Sequence, residues 1–217
     1  MKLEEITTKY EHPIIGVIGA TSPLPDYDSD DAYRLGYELR EIVDKKGSLF
    51  TGGVSGVGID IYRGVVDYCL EKAVEDKFFV LFPDIESEPP EEYFKLAEKT
   101  KNSVLRVEKI GQDWEERRSY VGAVADLLVL VNGSAGTIDE ALKGLYLGKP
   151  LVCLQNSGGA ADVISKFKRG EIDIPLNVDK ELIKPFNSVS EIANYLSNEL
   201  LYNMGGENKN DNFRENF

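Results

Sequence analysis

The segment DLLVLVNGSAGTIDEALKGLYLGK, residues 126–149, runs from a nearly unbroken apolar stretch through a turn of small residues into a helical stretch. A strand with one wet face alternates apolar and polar residues, whereas a strand covered on both faces does not. Residues 126–133 therefore predict the central strand of a parallel sheet, and residues 137–149 the helix that follows it. Between them Gly133, Ser134, Ala135 and Gly136 carry almost no side-chain bulk, and Thr137, Asp139 and Glu140 come next.

The same alternation extends in both directions. Strands are expected at 13–20, 48–53, 77–83, 103–110 and 150–156. Helices are expected at 29–47, 56–75, 89–102, 113–125, 161–172 and 188–202. In the first of these helices Ala32, Leu35, Leu39 and Ile42 share a face, Ser29 or Asp30 can cap the start, and Gly47 stops the chain. Strand–helix alternation calls for an α/β fold, a doubly wound parallel sheet with helices on both faces. It forms one domain, 1–203, followed by a polar tail, 204–217. In such sheets ligands lie outside the carboxyl ends of the strands. Four loops rich in Gly, Ser or Thr fall there, at 19–27, 51–58, 132–137 and 155–162.

Composition removes several function classes. A net charge of -13 argues against a nucleic-acid partner, which needs a basic surface. It leaves open a small phosphate, which backbone N–H groups can hold locally. No apolar run approaches the ~20 residues of a membrane span, and residues 1–13 lack a signal-peptide core, so the expected location is the cytoplasm. Cys69 and Cys153 are in neither metal nor redox spacing and read as buried thiols. The single histidine, His12, precedes the first strand and reads as an edge or surface residue, which sets aside Ser-His-Asp chemistry.

The turn 133–137 has two readings. Bare backbone and unpaired N–H groups at a helix start form a phosphate seat, with the Thr137 hydroxyl as a further donor. Alternatively it is a tight turn capped by Thr137. It lacks the lysine of a nucleoside-triphosphatase loop. In the 51–58 loop, Gly52 and Gly53 permit positive φ and Gly56 close helix packing. Asp139 and Glu140 are expected in or near the first turn of the helix, complementing its dipole. Glu140 lies about one turn past Thr137 and can share its face. Only one of the two acids can point to the rim. Arg117 and Arg118 open a helix, against its dipole, so a partner is expected: Glu115 or Glu116 at the surface, or an anionic ligand or catalytic carboxylate. Trp114 reads as a core or interface residue rather than a base-stacking platform.

Taken together these motifs resemble the lonely-guy family, also called possible lysine decarboxylases, which are Rossmann-like nucleotide phosphoribohydrolases. That family carries an Arg-Lys pair on a helix, then a strand, then PGGxGTxxE. RRSYVGAVADLLVLVNGSAGTIDE, residues 117–140, follows the same order. Arg117 matches the arginine, Arg118 replaces the lysine and Glu140 matches the glutamate. TGGVSGVGI, AYRLGYEL and PLVCLQNSGGAAD are similar to its other segments, and the resemblance covers roughly positions 13–170. Asn132 replaces a proline, Ser134 and Thr51 replace glycines, and Gly159 and Ala160 replace tyrosines, which places the chain on a divergent branch near the molybdenum-cofactor carriers.

The resemblance implies hydrolysis of a nucleoside 5′-monophosphate to free base and ribose 5-phosphate, with no metal or other cofactor. Glu140 would stabilise the oxocarbenium-like transition state, and Arg117 would hold Glu140 or place charge near the leaving group. Gly133, Ser134, Ala135, Gly136 and Thr137 would bind phosphate, helped by Ser22, Arg118, Gly52 and Gly53. It also implies a homodimer or larger homo-oligomer. The alternative is a non-catalytic carrier or sensor of a phosphate-bearing ligand, a pterin cofactor or a nucleotide. Lysine decarboxylation is set aside, because no lysine stands in a recognisable pyridoxal-phosphate motif.

Overall fold

The structure, a computed structural model, describes residues 3–44, 46–101, 104–175 and 177–205. In chain order the elements are α1 (Leu3–Lys9), β1 (Ile14–Gly19), α2 (Ser29–Ile42), β2 (Ser48–Thr51), α3 (Val57–Lys72), β3 (Phe78–Phe82), α4 (Glu91–Ala97) and β4 (Val107–Lys109). Then follow α5 (Trp114–Val124), β5 (Leu127–Val131), α6 (Ala135–Tyr146), β6 (Leu151–Leu154), α7 (Gly159–Arg169), a 3-10 turn (Lys180–Leu182), β7 (Ile183–Phe186) and α8 (Val189–Gly205).

Successive strand side chains point to opposite faces, and here both faces are buried. In β5, Val129 and Val131 join one core cluster with Leu35 and Leu39 of α2, Ile61 and Val65 of α3, and Ile192 and Leu196 of α8. Leu128 and Leu130 join the other, with Ile6 of α1, Val121 of α5, Ala141 and Leu145 of α6, and Ile164 and Phe167 of α7. This double burial is why the strands read as continuous apolar runs. The seven strands pair in parallel in the order β4-β3-β2-β1-β5-β6-β7. After β4 the chain crosses back to lay β5 beside β1, so the topological switch point, with its ligand-binding crevice, lies between β1 and β5.

Several expectations need correction. Strand 103–110 shrinks to β4, which pairs with Val80, Leu81 and Phe82 alone, and helix 89–102 shrinks to α4. Asp28 caps α2, accepting a hydrogen bond from the Asp30 N–H at 2.8 Å in place of Ser29 or Asp30, and the helix ends at Ile42, before Gly47. Neither α1 nor β7 was expected. In β7, Lys184 and Pro185 break the apolar pattern, which only an edge position tolerates. The terminal helix reaches Gly205, and residues 206–217 of the expected tail lie outside the described residues.

Among the described residues no helix is long and apolar enough to cross a membrane. Both thiols are buried, and burial pushes Cys69 up to about 11 and Cys153 further, which leaves them as unreactive packing groups. His12 contacts Asp126 at 2.5 Å and the Thr7 carbonyl at 2.9 Å, at the opposite end of the sheet from the crevice.

Candidate functional site

At the carboxyl ends of β1, β2 and β5 there is a cleft of about 570 Å³, its open mouth included. Gly19, Thr21, Thr51, Gly52, Val54 and Gly58 line one side, and Trp114, Arg117, Arg118, Ser134, Gly136, Thr137 and Glu140 the other. The cleft thus takes in the turns after β1, β2 and β5 and the start of α5.

Arg117 is 3% exposed and bound on three sides. Its Nε donates to the Leu81 carbonyl at 3.0 Å, Nη2 donates to the Gly52 carbonyl at 3.0 Å, and Nη1 donates to the Glu140 carboxylate. The indole of Trp114 lies 5.5 Å from the guanidinium. The arginine's partner is therefore Glu140 and not the neighbouring acids. Glu116 instead accepts from the Gln112 N–H at 2.8 Å. Between the two candidate acids the structure also decides. Glu140 is 8% exposed and faces Arg117, whereas Asp139 pairs with Lys143 at 2.9 Å on the outer side of α6. Both acids lie two residues deeper in the helix than expected, past its first turn, since α6 begins at Ala135 and its first turn holds no acid.

The Arg117–Glu140 pair spans 23 positions and exists because α5 and α6 pack closely. A Cβ on Gly122 would lie 2.7 Å from the Gly144 Cα. Gly122 follows Arg117 by five residues and Gly144 follows Glu140 by four, so matched small residues are the sequence signal for this contact. Gly52 supplies a second close approach: a Cβ there would sit 1.9 Å from Arg117 Nη2. Its value is room for the guanidinium. Only Gly53 of the two has positive φ, +68°. Gly52→Ala is accordingly expected to lower stability by about 1–3 kcal/mol, as overpacking does, read as a fall in the urea midpoint.

Arg118 is half-buried and its guanidinium lies over Gly136, where an added Cβ would approach Nη2 to 3.1 Å. Among the described residues no carboxylate lies within ion-pair distance of it. A cation over the first turn of a helix opposes the dipole unless an anion sits between. The N–H groups of Ala135 and Gly136 likewise find no protein acceptor among the described residues. Those of Thr137 and Ile138 turn back to the Ser134 carbonyl at 3.0 Å each. The Thr137 hydroxyl is already engaged, accepting from the Ser134 N–H at 3.3 Å and donating to the Gly19 carbonyl at 3.2 Å. It fixes the turn to β1, so the donors left over at this turn are the Gly136 amide and Arg118, which line the cleft, and the Ala135 amide beside them.

Asn132 organises the rim. Its backbone is left-handed, φ +52°, a conformation open to asparagine and closed to proline. Its side chain accepts from the Leu24 N–H at 3.1 Å and donates to the Ser157 carbonyl at 2.5 Å, while its own N–H donates to Ser157 Oγ at 2.8 Å. The carbonyls of Asn132 and Gly133 receive the N–H groups of Ala161 and Ala160 at 3.0 and 2.8 Å. The start of α7 is thereby occupied by protein, and the 155–162 loop shapes the rim without opening onto the cleft.

Of the other expected residues, Ser22 is exposed and lies beyond the cleft wall, where its neighbour Thr21 stands instead. Gly53, Gly133 and Ala135 shape the turns without lining the wall. Residues not anticipated are Thr21, Thr51, Val54, Gly58 and, behind them, Tyr93. Burial holds the Tyr93 phenol well above its usual range, so it stays a neutral donor. Its hydroxyl lies 3.1 Å from both the Val54 carbonyl and Thr51 Oγ1, propping the glycine turn.

No protein-family profile and no curated protein matches the chain. Solved structures do. TM1055, a structural-genomics target, is 23% identical with a TM-score of 0.62, over 85% of this chain and 98% of that one. The molybdenum cofactor carrier protein from Chlamydomonas reinhardtii is 21% identical with a TM-score of 0.57, over 87% and 98%. DNA processing protein A from Helicobacter pylori, described for its single-stranded DNA binding, is 16% identical with a TM-score of 0.58, over 90% and 84%. At these identities the likeness establishes a shared Rossmann-like α/β fold.

Proposed function

We propose that the protein is a phosphoribohydrolase that cleaves the N-glycosidic bond of a nucleoside 5′-monophosphate. The observation that carries this reading is one cleft holding both a buried Arg117–Glu140 pair and, beside it, Arg118 over the first turn of α6, with no carboxylate partner among the described residues. The 5′-phosphate lies on the Ala135 and Gly136 amides under Arg118. This orientation brings the ribose to Glu140. The bond from the anomeric carbon to the base nitrogen breaks, its electron pair leaving with the base. Water adds to the anomeric carbon; one of its protons passes to the departing base nitrogen and the other stays on the new anomeric hydroxyl. The Glu140 carboxylate stabilises the positive charge that develops on the ring. Arg117 has its donors committed to Leu81, Gly52 and Glu140, so it is a positioning residue that aims Glu140.

A carrier of a phosphate-bearing cofactor is the second reading, favoured by the likeness to the Chlamydomonas reinhardtii carrier. A DNA partner fits less well, because the net charge is -13 and the free cation in the cleft suits a single phosphate. In the first reading the protein works in the cytoplasm as a homodimer or larger homo-oligomer, with α6 at the contact, where Tyr146 is 79% exposed.

Incubation with adenosine, guanosine, cytidine and uridine monophosphates, followed by chromatography, tests the two readings. Free base and ribose 5-phosphate support the hydrolase; retention of intact ligand without turnover favours the carrier. Arg118→Gln is expected to raise KM roughly 10- to 100-fold, the worth of one charged hydrogen-bonding group, with the melting temperature unchanged. An unaltered KM would remove Arg118 from the phosphate site.

A further inference from the structure

We infer that Trp114 is the residue that recognises the base, stacking on a planar aromatic ring carried by the phosphate-bound ligand; this inference rests on the proposed nucleotide site. Trp114 is the single tryptophan of the chain and opens α5. It is 36% exposed and lines the cleft wall. Among the described residues of that wall no other aromatic side chain appears.

The indole is held in place before any ligand arrives. Phe82, buried at the end of β3, meets it edge-on with centroids 5.1 Å apart at 75°. The Arg117 guanidinium lies 5.5 Å from its centre. A ring fixed this way loses little freedom when a second ring stacks on it.

Its position also fits the covalent geometry of a nucleotide. Arg117 touches both the Glu140 carboxylate and the Trp114 ring. A base is bonded directly to the anomeric carbon, so a ribose seated at Glu140 carries its base to the neighbourhood of that guanidinium, where the indole is the available aromatic surface. Stacking tolerates any base, because each has a π face. The larger purine ring covers more of the indole, so purine monophosphates are the favoured class.

Because the chain has one tryptophan, its emission reports on this ring alone. The protein is titrated with adenosine monophosphate, uridine monophosphate and ribose 5-phosphate, following tryptophan fluorescence and, separately, heat of binding. Ribose 5-phosphate is expected to bind without changing the emission, whereas adenosine monophosphate quenches it and uridine monophosphate does so more weakly. Trp114→Ala is expected to weaken adenosine monophosphate binding by about tenfold, the scale of one base stacked on an aromatic ring, and to leave ribose 5-phosphate unaffected. Trp114→Phe restores most of the loss.

Equal weakening of both ligands would assign Trp114 a structural role and overturn the inference. So would adenosine monophosphate binding with unchanged emission, or emission that follows protein concentration and not ligand. Quenching without base release would leave the stacking role intact and sink the hydrolase reading alone. Failure of every ligand to bind would remove both.

Discussion

Glu140→Gln is expected to cut base release from a nucleoside monophosphate by about 10²–10³-fold in kcat, the usual consequence of removing one preorganised electrostatic group. Glutamine keeps the size and can still accept from Arg117, so the cleft retains its shape. It loses the negative charge that faces the developing cation, so the loss falls on kcat while KM changes little. Glu140→Ala removes the partner as well. Arg117 is then a buried cation with no carboxylate, left with the Leu81 and Gly52 carbonyls and the Trp114 ring. Stripping one member of a buried pair costs about 3–5 kcal/mol, so this variant should also unfold at lower urea. Comparison of the two separates charge from structure. Full activity in the glutamine variant would exclude Glu140 from the chemistry.

Asn132→Pro is expected to be the most damaging substitution at the rim. Proline cannot adopt φ +52°. It also removes the N–H bonded to Ser157 Oγ and the side chain that joins Leu24 to Ser157. Each buried polar group left unpaired costs about 1–3 kcal/mol. The sum, on the order of 5 kcal/mol, is a large share of ordinary domain stability. The melting temperature should fall by roughly 10–20 °C for a chain of this length, or the protein should fail to fold. Asn132→Gly keeps the backbone conformation, and its smaller loss isolates the side-chain contribution. A proline variant as stable as the parent would contradict this account of the turn.

Fold and site differ in how much of each the sequence shows. The central strands stood out because helices cover both faces of β1, β3, β5 and β6, which makes their residues apolar without alternation. The short edge strands gave a weaker signal: β4, which buries Glu108, is expected but with bounds too long, and β7, which interrupts its apolar residues with Lys184 and Pro185, is missed. Arg117, Arg118, Glu140 and the bare turn could be named from residue type and order. Their pairing did not follow from residue order, because ion pairs are made across space; only the family resemblance implied that Arg117 would hold Glu140. Glu115 and Glu116 were as close to Arg117 in the chain as Glu140 was in the fold. The tight α5–α6 approach at Gly122 and Gly144 decided between them. Thr137 illustrates the converse. Its hydroxyl suited a ligand donor, yet tertiary packing directs it to the Gly19 carbonyl.

The three-way anchoring of Arg117 has a mechanical side. Leu81 and Gly52 belong to the flank of the sheet built from β2 and β3, and Glu140 belongs to α6 across the switch point. One side chain therefore ties the two flanks together, much as a cross-brace ties two walls. Any hinge that spread them would have to strip a buried cation either of its carboxylate or of both carbonyls. Traffic into the crevice is thereby directed through its open mouth.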